Sequence, residues 1–211
     1  MVQAILEGRK TMTRMVVKFP KEFNRKNVYK NGDLGLKYSV TDDVGNELLH
    51  RLFPTYEKGD RLWVRETYYA YGIWLKNGHS KSGLQKWIFF DTTLTGFKYR
   101  YSDNPPDNIL PNSKRETYGW FKRPSLFMPK KVARIWLEVT SFRAIRLNII
   151  SDADCKKEGI EPFGIGYRDY SEEGASVDSP YYSFKTLWES ISVKGSWELN
   201  PWVWVVEFKR I

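Results

Sequence analysis

The strongest β-strand signal in the chain is the sequence Arg134-Ile-Trp-Leu-Glu-Val-Thr-Ser-Phe-Arg-Ala-Ile-Arg146. Apolar residues are punctuated by polar ones along it, which is typical of a strand with one face on a hydrophobic core. A short helix is predicted soon after the strand. Ser151 is a preferred N-cap residue, acidic residues follow in the first turn, and Gly159 can end the helix.

Similar signals predict elements on both sides of this strand. A short helix that stops at Gly8 is predicted near the N-terminus, with Val2, Ile5 and Leu6 on its apolar face. Strands are predicted over 13–19, 61–67 and 202–208. A further helix is predicted from the apolar stripe of Phe184, Leu187, Trp188 and Ile191. Residues 20–58 are predicted to be irregular, with turn signals at 31–33 and 44–46. Short strands with three small helices predict the α+β class, arranged as a barrel.

The chain is long enough for one sizeable core, and we expect a single domain over residues 1–211. Three polar stretches are predicted as insertions, at about 20–58, 70–118 and 161–180. The second is expected to contain a hairpin whose strands are 87–90 and 96–101.

Positive charge is concentrated in two segments. The chain has 34 Lys and Arg against 25 Asp and Glu, a net charge of +9. Residues 1–30 contain eight basic and two acidic residues, and residues 121–134 contain five basic residues and no acidic one. Segregated positive charge attracts polyanions by releasing their counterions, so nucleic acid or a nucleotide is the expected partner. The alternative is a solvated basic face without a ligand.

Composition also excludes some metal sites and indicates the cellular compartment. Cys155 is the only cysteine and His50 and His79 are the only histidines, so internal disulfides and thiolate metal clusters are excluded and we expect no metal or other cofactor. No apolar run approaches the roughly 18–20 residues that cross a bilayer, and the charges within residues 1–10 do not fit a secretory signal. We therefore expect a cytoplasmic protein without a membrane partner.

A motif lies close to the N-terminus, in Ala4-Ile-Leu-Glu-Gly-Arg-Lys-Thr-Met-Thr-Arg14. It contains the pattern Gly-x-Lys-x-x-Thr that opens ASCH domains, and the chain resembles that family in three later blocks as well. These are 59–66, the strand 135–147 with the helix 151–159, and the strand 202–208. The phage and prophage branch is especially similar, through Trp-Val-Arg-Glu-Thr at 63–67, Arg-Pro-Ser at 123–125 and Asn-Pro-Trp-Val-Trp-Val at 200–205.

This resemblance implies a PUA-like barrel, a fold often associated with RNA or modified bases. Small ASCH proteins include amidohydrolases that remove the acetyl group from N4-acetylcytidine with a Lys, a Thr and a Glu. Those positions match Lys10, Thr13 and Glu158, which become the candidate base, nucleophile and proton donor. Other ASCH proteins are ribonucleases or binders, so the fold alone does not fix an activity.

The chain departs from the family pattern in two places. The small amidohydrolases have an Arg two residues after the Thr, whereas Met15 holds that position here and Arg14 lies one residue earlier. A shift of one residue along a strand turns a side chain to the opposite face. Lys10 and Thr13 likewise share a face only if the chain turns between them. The chain also begins directly before its first helix, where relatives often have another strand, which is consistent with a truncated start.

A further set of residues is predicted to bind a base or nucleic acid, because aromatic rings beside Arg and Lys support base stacking and phosphate contacts. The set is Arg9, Arg14, Trp63, Arg65, Glu66, Lys122, Arg123, Lys130 and Lys131. For Arg65 and Glu66 an edge salt bridge is the alternative. Cys155 is expected to be buried and not to act as a nucleophile.

Three functions therefore stay open. The first is recognition of a nucleobase or nucleoside, with hydrolysis of an N4-acylated cytidine as the candidate reaction. The second is non-catalytic RNA or DNA binding, or a ribonuclease-type phage regulatory protein, acting in the host cytoplasm if phage-encoded. The third is a structural phage protein. The expected partner is a modified nucleoside or nucleic acid, and the sequence does not indicate an oligomeric state.

The amidohydrolase hypothesis predicts release of cytidine from N4-acetylcytidine, followed by ultraviolet absorbance. Glu158→Gln and Lys10→Ala should each lower turnover about a hundred- to ten-thousand-fold, the usual cost of losing a general acid or base. The melting temperature should change little, and Thr13→Ser should keep more activity than Thr13→Ala. A wild-type protein that binds the nucleoside without turnover would contradict the hypothesis.

Overall fold

The computed structural model describes residues 1–18, 28–31, 37–41, 47–52 and 56–211, with the backbone alone described between 28 and 52. The fold class is α+β, as predicted, with mostly antiparallel sheets and three short helices. The elements in chain order are α1 (Val2–Leu6), β1 (Met12–Val16), β2 (Val28–Asn31), β3 (Lys37–Thr41), β4 (Glu47–Leu52), β5 (Arg61–Trp63), β6 (Tyr68–His79), β7 (Gln85–Asp91), β8 (Arg100–Tyr101), β9 (Gly119–Arg123), β10 (Trp136–Arg146), α2 (Asp152–Lys157), β11 (Pro162–Phe163), β12 (Gly166–Arg168), β13 (Ser176–Val177), α3 (Pro180–Ile191) and β14 (Trp202–Arg210).

The chain divides into two compact units. Unit 1 consists of residues 1–62 and 135–211, and unit 2 consists of residues 63–134. Unit 1 contains the Gly-x-Lys-x-x-Thr segment, whereas unit 2 contains the stretch 70–118 that the sequence predicts as an insertion. The expectation of a single domain over the whole chain stays a prediction. In the part of the chain that the structure describes, no helix is long and apolar enough to cross a membrane.

The main sheet of unit 1 has the strand order β1-β14-β10-β5. Strand β14 is antiparallel to both β1 and β10, so that Val205 pairs with Arg14 on one side and with Arg143 on the other. Alternate residues of β14 point to opposite faces of this sheet. Val203 and Val205 pack into the main core with Phe184 and Trp188 of α3, while Trp204 packs on the other face.

The ends of α1 and α2 approach closely at Gly159. This residue has φ +84°, and a Cβ placed on it would lie 2.7 Å from the Cβ of Lys10 and 3.0 Å from the Cβ of Ala4. Both the positive φ and the close contact require glycine. Two backbone hydrogen bonds hold the junction, because Thr11 N donates to Lys157 O at 2.9 Å and Lys10 N donates to Ala4 O at 2.9 Å.

Unit 2 is built around β6, whose twelve residues pair with three other strands. Strand β9 pairs with its first half, β8 pairs with Tyr68 and Tyr69, and β7 forms a hairpin with its second half. The predicted hairpin between 87–90 and 96–101 is therefore wrong. Residues 87–90 belong to β7 but pair with β6, because the chain reverses at 80–84, and only residues 100–101 of the second segment form a strand.

Other predictions are confirmed or corrected by the described residues. The helices after Ser151 and over Phe184 to Ile191 are confirmed, and the Ser151 hydroxyl accepts a hydrogen bond from Asp154 N.

Residues 20–58 are not irregular throughout, because β2, β3 and β4 form an antiparallel sheet. Asn31, the first residue of the turn predicted at 31–33, is the last residue of β2, and residues 32–33 and the turn predicted at 44–46 lie outside the described residues. The strand predicted over 61–67 ends at Trp63, and residues 161–180 form the small sheet β11-β12-β13.

Candidate functional site

Lys10 and Glu158, two of the three predicted catalytic residues, are in direct contact. The ammonium nitrogen of Lys10 lies 2.9 Å from Oε2 of Glu158, 2.8 Å from the carbonyl oxygen of Glu158 and 2.8 Å from the carbonyl oxygen of Met12. A lysine ammonium has three protons to donate. All three have acceptors here, so Lys10 is fully engaged inside the protein.

Arg14 extends this pair into a chain of alternating charges. Its guanidinium donates to Oε1 of Glu158 at 2.8 Å and to Oδ2 of Asp154 at 3.0 Å. Arg143 also donates to Asp154, at 3.1 Å, and forms an ion pair with Glu207. The resulting ion cluster contains three cations and three anions, which are Lys10, Arg14, Arg143, Asp154, Glu158 and Glu207.

The inner part of the ion cluster is almost completely buried. The side chains of Lys10, Arg14 and Glu158 are 6%, 0% and 4% exposed. Buried charges are tolerated only when they are paired and hydrogen-bonded, and removing one partner typically costs about 3–5 kcal/mol. Lys10 also donates to the carbonyl oxygen of Glu158, the C-cap residue of α2, where the helix dipole favours a cation. These contacts give the pair a structural role at the junction of α1, β1 and α2.

Among the described residues, Thr13 forms no hydrogen bond with Lys10 or Glu158. Residues Met12–Val16 form a regular strand in which Thr13 pairs with Val206. Side chains alternate along a strand, so Thr13 faces away from Arg14 and toward the side of the sheet where Met15 packs with Trp204. Strand β1 itself contains no turn. The catalytic roles of Lys10, Thr13 and Glu158 stay predictions.

Several residues that were predicted to bind a base are engaged elsewhere. Arg9 donates to the carbonyl oxygens of Gly159 and Ile160 at 3.1 and 3.2 Å. Glu66 is buried and accepts two hydrogen bonds from Arg134, each 2.9 Å long. Arg134 also binds Asp103, and this guanidinium holds the pKa of the Asp103 carboxyl below its usual value. Glu66 therefore forms a salt bridge, which is the alternative to base binding that the sequence left open for this residue.

Four of the predicted residues are exposed on unit 2 or stack at its surface. The Arg65 guanidinium lies 4.9 Å from the centre of the Trp63 ring, in a cation–π contact. Lys130 and Lys131 are exposed on a short 3₁₀ helix, Lys130–Val132.

Cys155 is fully buried as expected, and its burial raises the pKa of the thiol to about 12. This removes Cys155 from the candidate nucleophiles.

Lys122 and Arg123 lie at a cleft of unit 2 with a volume of about 550 Å³. The cleft combines aromatic walls with these two cations. Its lining residues are Trp74, Trp87, Ile88, Phe89, Asn112, Lys122, Arg123, Pro124 and Phe127. Phe127 is 62% exposed, and Trp87 is half-buried. A base-sized ligand can therefore reach ring faces and positive charge in the same place.

The Arg123 guanidinium packs against two aromatic rings. Its guanidinium carbon lies 4.4 Å from the centre of the Trp74 ring and 4.6 Å from that of Phe89. Within the described residues, no carboxylate forms an ion pair with Arg123, and its Nε is buried without a hydrogen-bond partner. The indole Nε1 of Trp74 is also buried and has no partner in that part of the chain. Both donors are therefore buried without a hydrogen-bond partner in unit 2.

Charge is segregated between the two units. Residues 63–134 contain thirteen Lys and Arg against five Asp and Glu, a net charge of +8 out of +9 for the whole chain. The remaining 139 residues are almost neutral. Residues 1–30 of unit 1 have six more basic than acidic residues, but acidic residues in the rest of that unit offset most of this excess, so nearly all of the net charge belongs to unit 2.

The aromatic residues that line this cleft are not predicted as site residues from the sequence. Trp74, Trp87, Phe89 and Phe127 were assigned to an insertion or not singled out, although Trp87 and Phe89 alternate along β7 on the face shared with Trp74. That alternation was the available signal. Among the described residues, no group of three or more His, Cys, Asp or Glu side chains is placed to hold a metal ion.

Comparison with known proteins gives no relative. No protein family, no curated protein and no solved structure matches the chain.

Lys10→Met should destabilise the protein by about 3–5 kcal/mol, because it leaves Glu158 buried with one cation fewer. In a chain of this size that corresponds to a fall of roughly 10 °C in melting temperature. Burial thus reverses the expectation from sequence that substitutions at Lys10 leave the melting temperature unchanged.

Lys209→Met is the matched control for thermal denaturation. Lys209 pairs with Glu138 at 3.0 Å, but its side chain is 59% exposed. Exposed ion pairs contribute about 0–1 kcal/mol, so this variant should melt close to wild type. Equal melting temperatures for the two variants would show that the buried pair has no special structural role.

Proposed function

We propose that this protein binds single-stranded nucleic acid, or nucleotides, through the cleft of unit 2. Bases stack on the exposed ring of Phe127 and at Trp87, whose ring centre lies 4.8 Å from the Arg115 guanidinium, while Lys122 and Arg123 contact phosphates or base edges. The observation that carries this proposal is the Arg123 guanidinium, which packs against two aromatic rings at the cleft and has no anionic partner among the described residues.

The chemistry of Arg123 supports an anionic or base ligand. A guanidinium carries five N–H donors in a planar fork that matches phosphate oxygens and the acceptor edge of a base. Contact with Trp74 and Phe89 fixes the plane of this fork before a ligand arrives, so less side-chain entropy is lost on binding. In Arg134, by contrast, the same donors are occupied by Glu66 and Asp103.

The charge distribution supports a polyanion over an uncharged nucleoside. With a net charge of +8, unit 2 raises the local concentration of a negatively charged ligand and speeds its association. Exposed rings add a contribution that is independent of sequence, because every base has a face that can stack. Together these features are typical of single-strand binding.

The proposal does not include catalysis at Lys10 and Glu158. All three protons of Lys10 are donated, both carboxylate oxygens of Glu158 accept from cations, and Thr13 faces the opposite side of β1. A general base needs a free lone pair within reach of the proton it removes. Amidohydrolase and ribonuclease activities therefore stay predictions from the family resemblance.

Membership of the ASCH family and a PUA-like barrel belong to the proposal too. Their support is the order of elements in unit 1, where the motif joins α1 to β1, α2 follows the long strand β10, and β14 closes the sheet. In this arrangement unit 2 is an addition to the family core, and the proposed binding function is located in that addition.

Binding should be measured by fluorescence anisotropy of a labelled single-stranded oligonucleotide at increasing salt. The logarithm of the association constant should fall linearly with the logarithm of the salt concentration, by about 0.7 for each phosphate contacted. Arg123→Gln and Trp87→Ala should each weaken binding about tenfold, through loss of charged hydrogen bonds and of one stacked base.

Lys194→Gln is the control for the loss of one positive charge, because Lys194 is exposed on unit 1. It should bind as wild type does. Lys122→Gln repeats the test at an exposed cleft residue, in case a substitution at Arg123 disturbs the packing of its rings. The proposal is wrong if the wild-type protein does not bind at low salt, or if the cleft variants and Lys194→Gln have equal affinity.

A further inference from the structure

A second aromatic cluster lies in unit 2, apart from the rings of the Arg123 cleft. The rings of Tyr71 and Phe97 are stacked, with centroids 4.1 Å apart and planes at 27°. Trp120 meets both of them edge-on, at centroid distances of 5.6 and 5.5 Å. These contacts hold Phe97 in place although 45% of its surface is exposed. A fixed aromatic ring at the surface is suited to stacking.

This cluster lines a second cavity, with a volume of about 480 Å³. Phe97 and Trp120 contribute ring surface, and Lys98 and Arg100 contribute positive charge. Both cations are exposed, and neither forms an ion pair with any residue in the described part of unit 2. Tyr99, also at this cavity, donates to Asp91, and its pKa is raised by burial and by that hydrogen bond.

The two cavities lie on opposite faces of the same sheet. Trp120 and Arg123 are separated by three positions on β9, so their side chains point in opposite directions. Ring contacts agree with this assignment. Phe121 packs on Trp74 and Phe89 at the Arg123 cleft, whereas its neighbour Trp120 packs on Tyr71 and Phe97.

We propose that Phe97, Trp120, Lys98 and Arg100 form a second nucleotide subsite, which contacts the same single strand that occupies the Arg123 cleft. This inference rests on the proposed function, since it assigns a second contact to the same ligand. A strand that reaches both subsites passes around an edge of the sheet. Affinity should consequently depend on chain length, because only a long enough strand occupies both subsites at once.

The test uses 5′-fluorescein-labelled oligothymidylates of about 4, 8, 12 and 16 nucleotides, the range that single-strand binding domains cover. Wild-type affinity should rise with length beyond the simple increase in charge. Phe97→Ala should reduce the affinity for the longest strand by about tenfold relative to wild type, which corresponds to the stacking of one base, and should affect the shortest strand much less. Arg100→Glu, which leaves the rings in place, should reproduce this dependence on length.

Phe90→Ala is the matched control, because Phe90 is a surface ring of unit 2, 53% exposed, that lines neither cavity. It should bind every length as wild type does. If Arg123→Gln weakens binding while Phe97→Ala and Arg100→Glu behave like Phe90→Ala at all lengths, the second subsite is wrong and the proposed function stands. If no oligothymidylate binds to the wild-type protein, both proposals are wrong.

Discussion

The ion pair between Lys10 and Glu158 is the interaction on which unit 1 depends. It lies where the end of α1, the start of β1 and the end of α2 meet, and the close approach of Gly159 to Lys10 leaves no room for another side chain there. Because both charges are buried, each is stable only while the other is present. Arg14 on β1 forms ion pairs with Glu158 and Asp154. Asp154 also pairs with Arg143, which lies on β10.

This constraint separates the structural part of the chain from the proposed functional part. The motif that resembles the ASCH family supplies the buried ion pairs of unit 1, in which cations and anions alternate. Unit 2 has the opposite properties, since it carries nearly all of the net charge, exposed rings and an Arg123 whose guanidinium lacks an anionic partner among the described residues. Binding to an outside ligand requires such unsatisfied groups, and they are found in unit 2.

Local sequence signals predicted those parts of the fold that local physics determines. The N-cap at Ser151, the apolar stripe of α3 and the alternation of β10 and β14 each follow from short-range rules, and each was confirmed. Pairing of distant strands does not follow from local signals, so the predicted partner of β7 is wrong and β2, β3 and β4 are not predicted. The site is predicted only in part, because some of its residues are brought together by this strand pairing. Lys122 and Arg123 stood out by charge, but Trp74 joins them only through the pairing of β6 with β7 and β9.

The most direct test of binding at unit 2 is nuclear magnetic resonance of the tryptophan indole N–H groups during titration with a single-stranded oligonucleotide. The chain has nine tryptophans, and Trp→Phe variants assign their signals. Our account predicts that the signals of Trp74 and Trp87 shift. Trp188, whose indole donates to the Ser196 hydroxyl at 2.9 Å in unit 1, should not shift. Shifts confined to the tryptophans of unit 1, with Trp74 and Trp87 unchanged, would contradict it.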